Sequence, residues 1–320
     1  MIIITRTPLR ISLAGGGSDL PVFFEKEQGA VVSFTINKYV YVIINKRFEK
    51  GLRISYSKTE NVNSIDEIQH DIIRETLRYF NIKESMEVVT VGDVPGNGTG
   101  LGSSSALAVG LGKALLPDNT PPQALAEFAY EIERLRCHHS CGKQDMYASA
   151  CGGLNKFSFS SKSVSVHPVG IPEWLQDWLL LLWTGTARSS EPILQSQQIG
   201  IASDPNKFAA VKAMATQANI LHTAFGLNGV ANIGKFLNDG WASKKLLEDN
   251  ITTPEIDKWY VKAIAAGAYG GKLLGAGGGG FLLFFVPPGN RKDVIAATGL
   301  PEMKFQTTHK GSEVIYGTNT

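Results

Sequence analysis

The chain reads as an α+β protein built from two domains. Three observations predict this. At 320 residues it is long enough to bury two cores. Its β-rich segments and helical periods follow one another without the regular βαβα rhythm of a doubly wound parallel sheet. A break at Ile171-Pro172-Glu173 separates a strand-rich first half from a helix-rich second half, so the expected domains are 1–170 and 171–320.

The first half supplies most of the strands. Ile2–Thr5, Val31–Ile36, Tyr39–Asn45, Leu52–Tyr56 and Met86–Gly92 are β-rich segments. Asn37-Lys38 suits a tight hairpin between two of them. Ser64–Phe80 reads as a helix, with Ser64 as N-cap and Glu67 three residues on. Ser103–Leu116 is helical and stops at Pro117. Pro121 and Pro122 open the next helix, about 122–136, in which Leu125, Phe128, Ala129, Ile132 and Leu135 recur at helical spacing. Leu154–Phe159 and Val164–His167 read as a hairpin.

The second half opens with a strand, Leu179–Thr184. Helices are expected over about 191–200, 205–225, 228–238 and 253–267, and strands at Phe281–Val286, Lys304–Thr308 and Glu313–Tyr316. No long repeat or low-complexity segment interrupts this order.

Composition narrows the function. The chain is 43% hydrophobic and 19% charged, which is ordinary for a globular protein. A net charge of +2 gives no basic field for nucleic acid. Three cysteines, Cys137, Cys141 and Cys151, argue against a disulfide framework and suit a reducing cytosol. The N-terminus lacks the pattern of a signal peptide. The densest apolar run, Leu179–Trp183, is far short of the ~20 residues that span a bilayer. The expectation is a cytoplasmic protein without a membrane partner. Oligomeric state is not legible.

Glycine is the exception, at 34 residues. Many cluster at 15–17, 96–102 and 270–280, as ligand loops do. In the central cluster, Pro95-Gly96-Asn97-Gly98-Thr99-Gly100-Leu101-Gly102-Ser103-Ser104-Ser105, glycines at alternate positions run into three serines and then an alanine-rich helix. Such a loop brings backbone close to a ligand and ends on unpaired helix amides at the positive end of the dipole, a phosphate site. A serine hydroxyl there can also ligate Mg²⁺ beside the phosphates. No Gly-Lys-Ser/Thr follows at Walker A spacing, and the third glycine of a dinucleotide fingerprint is missing. Gly275 to Gly280 satisfies G-x-G-x-x-G literally, but with a helix before it and a strand after it the context is wrong.

Two further blocks carry ionisable groups. Pro8-Leu9-Arg10-Ile11-Ser12-Leu13-Ala14-Gly15-Gly16-Gly17-Ser18-Asp19 brings an arginine and then an acid around a glycine triplet. Arg10 can stabilise phosphoryl charge, and Asp19 can accept from hydroxyls; a solvated arginine and a helix-capping aspartate are equally good readings of this block alone. Glu133 and Glu131 flank opposite edges of the apolar face of their helix, and either can reach inward to a cation. Gly142-Lys143-Gln144-Asp145 places an acid beside a base in a turn, which fits proton transfer from a hydroxyl or a mixed-charge surface loop. Cys137-His138-His139-Ser140-Cys141 packs its four donors too closely to converge on one tetrahedral zinc.

Together the Pro-x-Arg block ending in Asp19, the central Gly-Leu-Gly-Ser-Ser-Ser-Ala and the later Gly-Ala-Gly-Gly-Gly-Gly resemble, in this order and over essentially the whole chain, the GHMP kinases (galactokinase, homoserine kinase, mevalonate kinase and phosphomevalonate kinase). The resemblance implies a ribosomal-S5-like N-terminal domain and a ferredoxin-like C-terminal domain, with the site between them. It implies ATP and Mg²⁺ as cofactors. Gly98, Gly100, Leu101, Gly102, Ser103, Ser104 and Ser105 would form the phosphate loop, with Ser104 and Glu133 as the metal ligands; Glu133 is thereby preferred over Glu131. Asp145 would be the catalytic aspartate with Arg10 near it. Asp19, with Gly17 and Ser18, would meet the sugar.

Arg-Ile-Ser-Leu-Ala-Gly-Gly-Gly-Ser-Asp, Ile-Asn-Lys-Tyr-Val-Tyr-Val and Gly-Lys-Gln-Asp are similar to the D-glycero-D-manno-heptose 7-phosphate kinase group. The substrate implied is a small-molecule sugar or sugar phosphate, phosphorylated at its anomeric hydroxyl. Arg136-Cys137-His138-His139-Ser140-Cys141 departs from the pattern beside the catalytic turn and bears on which sugar is used. Arg188, Lys143 and Lys156 are the basic residues set against a substrate phosphate. The alternatives are another sugar 1-kinase, acting on a fucose- or galactose-like substrate, and a non-catalytic sugar sensor on the same fold.

Overall fold

The computed structural model of the chain describes residues 2–96, 98–226 and 233–317. Its longest pairing joins β1 (Ile2–Ala14) to β2 (Gly29–Lys46), which follows a one-turn helix, α1 (Pro21–Phe24). The two strands run antiparallel from Ile2 opposite Asn45 to Ala14 opposite Val32. The hairpin expected at Asn37-Lys38 does not form. Both residues are absorbed as a bulge, because Pro8 faces Tyr39 while Leu9 faces Ile36. Asn37 is held from the far end of the chain: its amide donates to the Gln306 carbonyl (2.8 Å), and its side chain accepts from the Gln306 amide (2.7 Å).

β3 (Leu52–Ser55), β4 (Thr59–Val62) and β5 (Met86–Gly92) widen this sheet, β5 lying antiparallel to β2 and parallel to β3. The helix expected over 64–80 is split. Ser64 does cap, accepting from the Asp66 amide at 3.1 Å, but it caps a single 3₁₀ turn. The Gln69 amide donates to Glu60 of β4 (2.7 Å), which takes it out of any helical ladder, and α2 (Asp71–Tyr79) starts afresh after it.

α3 (Ser103–Leu115) lies on the sheet, and its small residues permit the close approach. The Thr5 hydroxyl donates to the Gly110 carbonyl at 3.0 Å. α4 (Pro122–Tyr130) passes directly into a π-helical turn, Glu131–Arg136. α5 (Gln144–Cys151) and the hairpin β6 (Leu154–Phe159)–β7 (Val164–Val169) follow, with β6 pairing to β2.

α6 (Leu175–Trp178) leads into β8 (Leu179–Trp183). Four helices come next: α7 (Glu191–Ser203), α8 (Pro205–Gly226), α9 (Ile233–Lys245) and α10 (Pro254–Ala265). The start expected for α9, at 228, lies outside the described residues. β9 (Gly270–Leu273) and β10 (Phe281–Phe285) complete a second, antiparallel sheet in the order β8-β10-β9. Glu302 adds a single bridge to Leu182 on the open edge of β8. Alternation along the strands buries both faces. Leu179, Leu181, Leu283 and Phe285 join the core of the large sheet, whereas Leu180, Leu182, Leu282 and Phe284 pack with Val211 of α8 and Trp241 of α9.

β9 is not expected from sequence, since two of its four residues are glycine. A Cβ on Gly270 would fall 1.9 Å from the Gly234 carbonyl oxygen, and one on Gly271 would fall 2.3 Å from the Phe284 ring. The strand is glycine-rich because α9 and β10 press on it. The turn at Gly275–Gly280 therefore joins two strands: the helix expected before it forms as α10, and β9 lies between that helix and the turn.

After α11 (Arg291–Thr298), β11 (Thr307–Thr308) and β12 (Glu313–Tyr316) return to pair with β2 and β1. The tail thus belongs to the first sheet, where the expected division put it in the second domain. We propose residue 170 as the first crossing between the two units and the stretch before 307 as the return. Among the described residues no helix is long and apolar enough to cross a membrane.

Candidate active site

Arg10 reaches from β1, nearly fully buried, toward the first turn of α5. Its Nε and one terminal nitrogen donate to the two carboxylate oxygens of Asp145 at 2.7 and 2.6 Å. This fork-to-fork pairing fixes both planes. The other terminal nitrogen donates to the Gly100 carbonyl at 2.5 Å. Gly102 lies against the pair with φ +79°, and a Cβ there would stand 3.2 Å from Asp145 Oδ2. A side chain at 102 would thus be strained by its backbone and pressed on the ion pair.

Asp19 sits close by, after the glycine triplet. One of its oxygens accepts from the Gly17 amide (3.0 Å), the other from the Gln144 amide (3.2 Å). Burial, and then the nearby Asp145 charge, raise its pKa above the usual carboxylate value.

Opposite, the loop at 98–102 delivers α3 by its N-terminus. Among the described residues, no amide from Gly100 to Ser105 has a partner outside the helix. The Ser104 and Ser105 hydroxyls donate to the two oxygens of Glu133 at 2.6 and 2.8 Å. Glu133 sits in the π-turn and is 4% exposed, whereas Glu131 points outward to Arg136 at 3.0 Å. The geometry thus separates two glutamates that helical spacing left equivalent, and a π-turn is a common way to re-aim one functional side chain. His139 bridges Asp71 (2.7 Å) and Glu133 (3.8 Å), and these two carboxylates push its pKa up to about 10.

These groups line one cleft of about 980 Å³. Gly17, Asp19, Gly98, Gly100, Gly102, Ser103, Ser104, Ser105, Glu133, Asp145, Arg10 and Arg188 all face it. Other expected residues do not. Ser18 is fully buried, its hydroxyl donating to the Gly15 carbonyl (2.7 Å) and accepting from the Ala30 amide (3.0 Å), so it shapes the loop. The Leu101 side chain is in the core, and its carbonyl accepts from the Arg10 amide at 3.1 Å. Lys143 turns to Glu127, at 2.7 Å, and the Tyr130 ring. Lys156 donates to Asn219 on the surface, at 3.3 Å.

Two cleft cations carry no sign in the sequence: Lys244 on α9 and Lys272 on β9. Lys244 stands in the last turn of an amphipathic helix with other exposed charges and Lys272 sits in a glycine-rich strand, so both look purely structural. Ser12 and Gln144 also line the cleft, with Ser12 Oγ and Gln144 Nε2 buried and unpartnered among the described residues. At the far end, Val40, Tyr56, Val91, Val94 and Leu107 form an apolar wall.

A hard divalent cation takes oxygen ligands, usually one or two carboxylates completed by phosphate oxygens. Ser104 and Glu133 offer such a partial set. Among the described residues, no three His, Cys, Asp or Glu side chains make a metal cage on their own, so a cation held here would need phosphate oxygens to complete its shell.

Comparison with known proteins bears on the family. The family model for the GHMP kinases N terminal domain matches residues 68–153, and that for the GHMP kinases C terminal matches residues 221–298. D-glycero-alpha-D-manno-heptose 7-phosphate kinase of Campylobacter jejuni is 33% identical over 315 residues, 92% of each chain. Among solved structures, a D-glycero-D-manno-heptose 1-phosphate kinase from Bacteroides thetaiotaomicron superposes with a TM-score of 0.77 at 26% identity, covering 99% of this chain and 100% of that one. A galactokinase of Lactococcus lactis, with a TM-score of 0.76, 19% identity and coverage of 98% and 95%, shares the fold. The two sheets, the glycine-serine loop and these matches lead to one conclusion: the chain belongs to the GHMP kinases and is a phosphotransferase acting on a sugar.

Proposed function

We propose that this sugar kinase transfers the γ-phosphoryl group of ATP to the anomeric hydroxyl of D-glycero-D-manno-heptose 7-phosphate, giving the 1,7-bisphosphate and ADP. The observation that carries the reading is the Arg10–Asp145 pair, held between the glycine-serine loop and Asp19 in a single cleft. The identity to a named heptose 7-phosphate kinase supports the substrate.

Each group then has a task. The free amides of Gly100 to Ser105 hold the ATP phosphates at the helix N-terminus. Magnesium bound by Ser104 and Glu133 with the phosphates would supply charge neutralisation to the transferred group. Arg10 uses three of its five N–H donors on Asp145 and Gly100, and the other two remain for the phosphoryl oxygens. Asp145 accepts from the anomeric hydroxyl, which is more acidic than an ordinary alcohol, and orients it in line. Asp19 keeps lone pairs for sugar hydroxyls. The apolar wall suits the adenine ring. The reading includes a cytoplasmic location, supported by three unpaired cysteines.

The test is a sugar and sugar-phosphate panel with MgATP, read by ADP release and product NMR. The panel includes the heptose 1-phosphate, because the two heptose-kinase relatives are named for different phosphate positions. Phosphorylation of heptose 7-phosphate at C1 is expected. Product phosphorylated at another carbon, or preference for bare fucose or galactose, overturns the assignment.

A further inference from the structure

Lys244 and Lys272 are two cleft cations that the chemistry above leaves without a task. Neither has a carboxylate within ion-pairing distance among the described residues. Lys244 Nζ donates to the Gly275 carbonyl, and Lys272 Nζ to the Leu13 carbonyl at 3.4 Å. Lys272 is 7% exposed. An ammonium taken from water and given only a carbonyl is costly, and an anion beside it relieves that cost.

Their positions say which anion. We propose that Lys244 and Lys272 together form the subsite for the phosphate already carried by the sugar substrate. This rests on the kinase reading above. The ATP phosphates have their own cradle on the α3 amides. Lys272, by contrast, touches Leu13, where β1 runs into the Gly15–Asp19 loop. Leu13 lies three residues beyond Arg10, about 10 Å along a strand. That separation suits a seven-carbon sugar with its anomeric carbon at Asp145 and its phosphate at the other end. Lys244 stands between this end and the reaction centre: its Gly275 partner meets Gly100 of the phosphate loop, while α9 leads on to Leu247 beside Gly17 of the sugar loop.

Two further observations agree. Ser12 and Gln144 line the cleft, and Ser12 Oγ and Gln144 Nε2 lie buried just behind its surface without a partner among the described residues. Burial and the mutual repulsion with Arg10 push the lysines down, Lys244 to about 8 and Lys272 to about 7. A bound phosphate dianion reverses both effects. Arg188, the cation expected for this role from sequence, is exposed at the cleft rim, its stem beside Gly278.

Lys272→Met and Lys244→Met keep the apolar stem and remove a charge that is buried at 272 and half-buried at 244, so both variants are expected to fold; thermal melting checks this. Calorimetric titration then measures Kd for heptose 7-phosphate and for ATP separately. Each variant is expected to weaken heptose 7-phosphate by about 10–100-fold, the worth of a charged hydrogen bond, with ATP within about twofold. Folded variants that bind the sugar phosphate as wild type does overturn the subsite. A loss in ATP affinity of the same size also overturns it, since the lysines then serve the nucleotide. Wild-type turnover is the separate test of the kinase reading. A wild type that phosphorylates only unphosphorylated sugars overturns that reading and the subsite with it.

Discussion

Gly275 and Gly100 meet backbone to backbone: a Cβ on Gly275 would stand 2.4 Å from the Cα of Gly100. The contact joins the β9–β10 turn to the phosphate loop. It also backs the Gly100 carbonyl that accepts from Arg10. Gly275 has φ +72°, so alanine there is strained by its own backbone and by this contact. Gly275→Ala should destabilise by about 1–3 kcal/mol and lower Tm by a few degrees. Turnover should fall further than stability explains, because Arg10 loses its anchor. An alanine variant with wild-type Tm and kcat would show that the two loops do not need this approach.

Replacing Asp145 separates chemistry from nucleotide binding. Asp145→Asn should lower kcat by about 10²–10⁴-fold while ATP binds, since the amides of α3 do not depend on it. Arg10→Met should cost a similar factor. The double variant should be little worse than either single one, because the pair acts as a unit. Simple multiplication of the two losses in steady-state kinetics would refute a shared role.

Glu133→Gln should raise the magnesium concentration for half-maximal turnover by at least about tenfold, and Ser104→Ala should act in the same direction. Glu131→Gln is the comparison, as Glu131 faces solvent and Arg136. It should titrate with magnesium as wild type does. Equal behaviour of the two glutamine variants would remove Glu133 from the metal site.

Residues that act through local backbone are legible in the sequence. The phosphate loop announces itself because alternate glycines and a run of serines have few other uses, and Arg10, Asp19 and Asp145 stand in or beside such motifs. Strands with plain alternation or β-branched runs, such as Met86–Gly92, agree to the residue. What stays hidden depends on partners distant in the chain. The Asn37-Lys38 bulge exists because Gln306 holds it, and β9 exists because Gly234 and Phe284 crowd it. Lys143 suggests a site residue because it neighbours Asp145 in sequence, yet helix geometry turns it to Glu127. Lys244 and Lys272 carry no local signature at all; only the packing of α9 and β9 brings them into the cleft.

The same two lysines set a pH dependence with a definite sign. In the unfolded chain a lysine titrates near 10.4. In the fold Lys272 is held down to about 7 and Lys244 to about 8, by burial first and by neighbouring cations second: Arg10 for both, and Lys244 for Lys272. Asp19 and Asp145 face Lys244 and oppose its shift. Between those values and about 10 the unfolded state binds more protons than the native state, so stability rises with pH across that window. His139, held up to about 10 by Asp71 and Glu133, works in the opposite sense: its contribution is full below about 6.5 and is lost as pH rises through 10. His139 is common to wild type and Lys272→Met, so it drops out of their difference. Denaturant melts from pH 6 to 10 should therefore show wild type gaining stability relative to Lys272→Met as pH rises, by on the order of a few kcal/mol. Saturating the cleft with heptose 7-phosphate should flatten that difference, since a dianion beside Lys272 restores its proton. A pH-independent difference would mean that Lys272 keeps its proton in the fold without any anion.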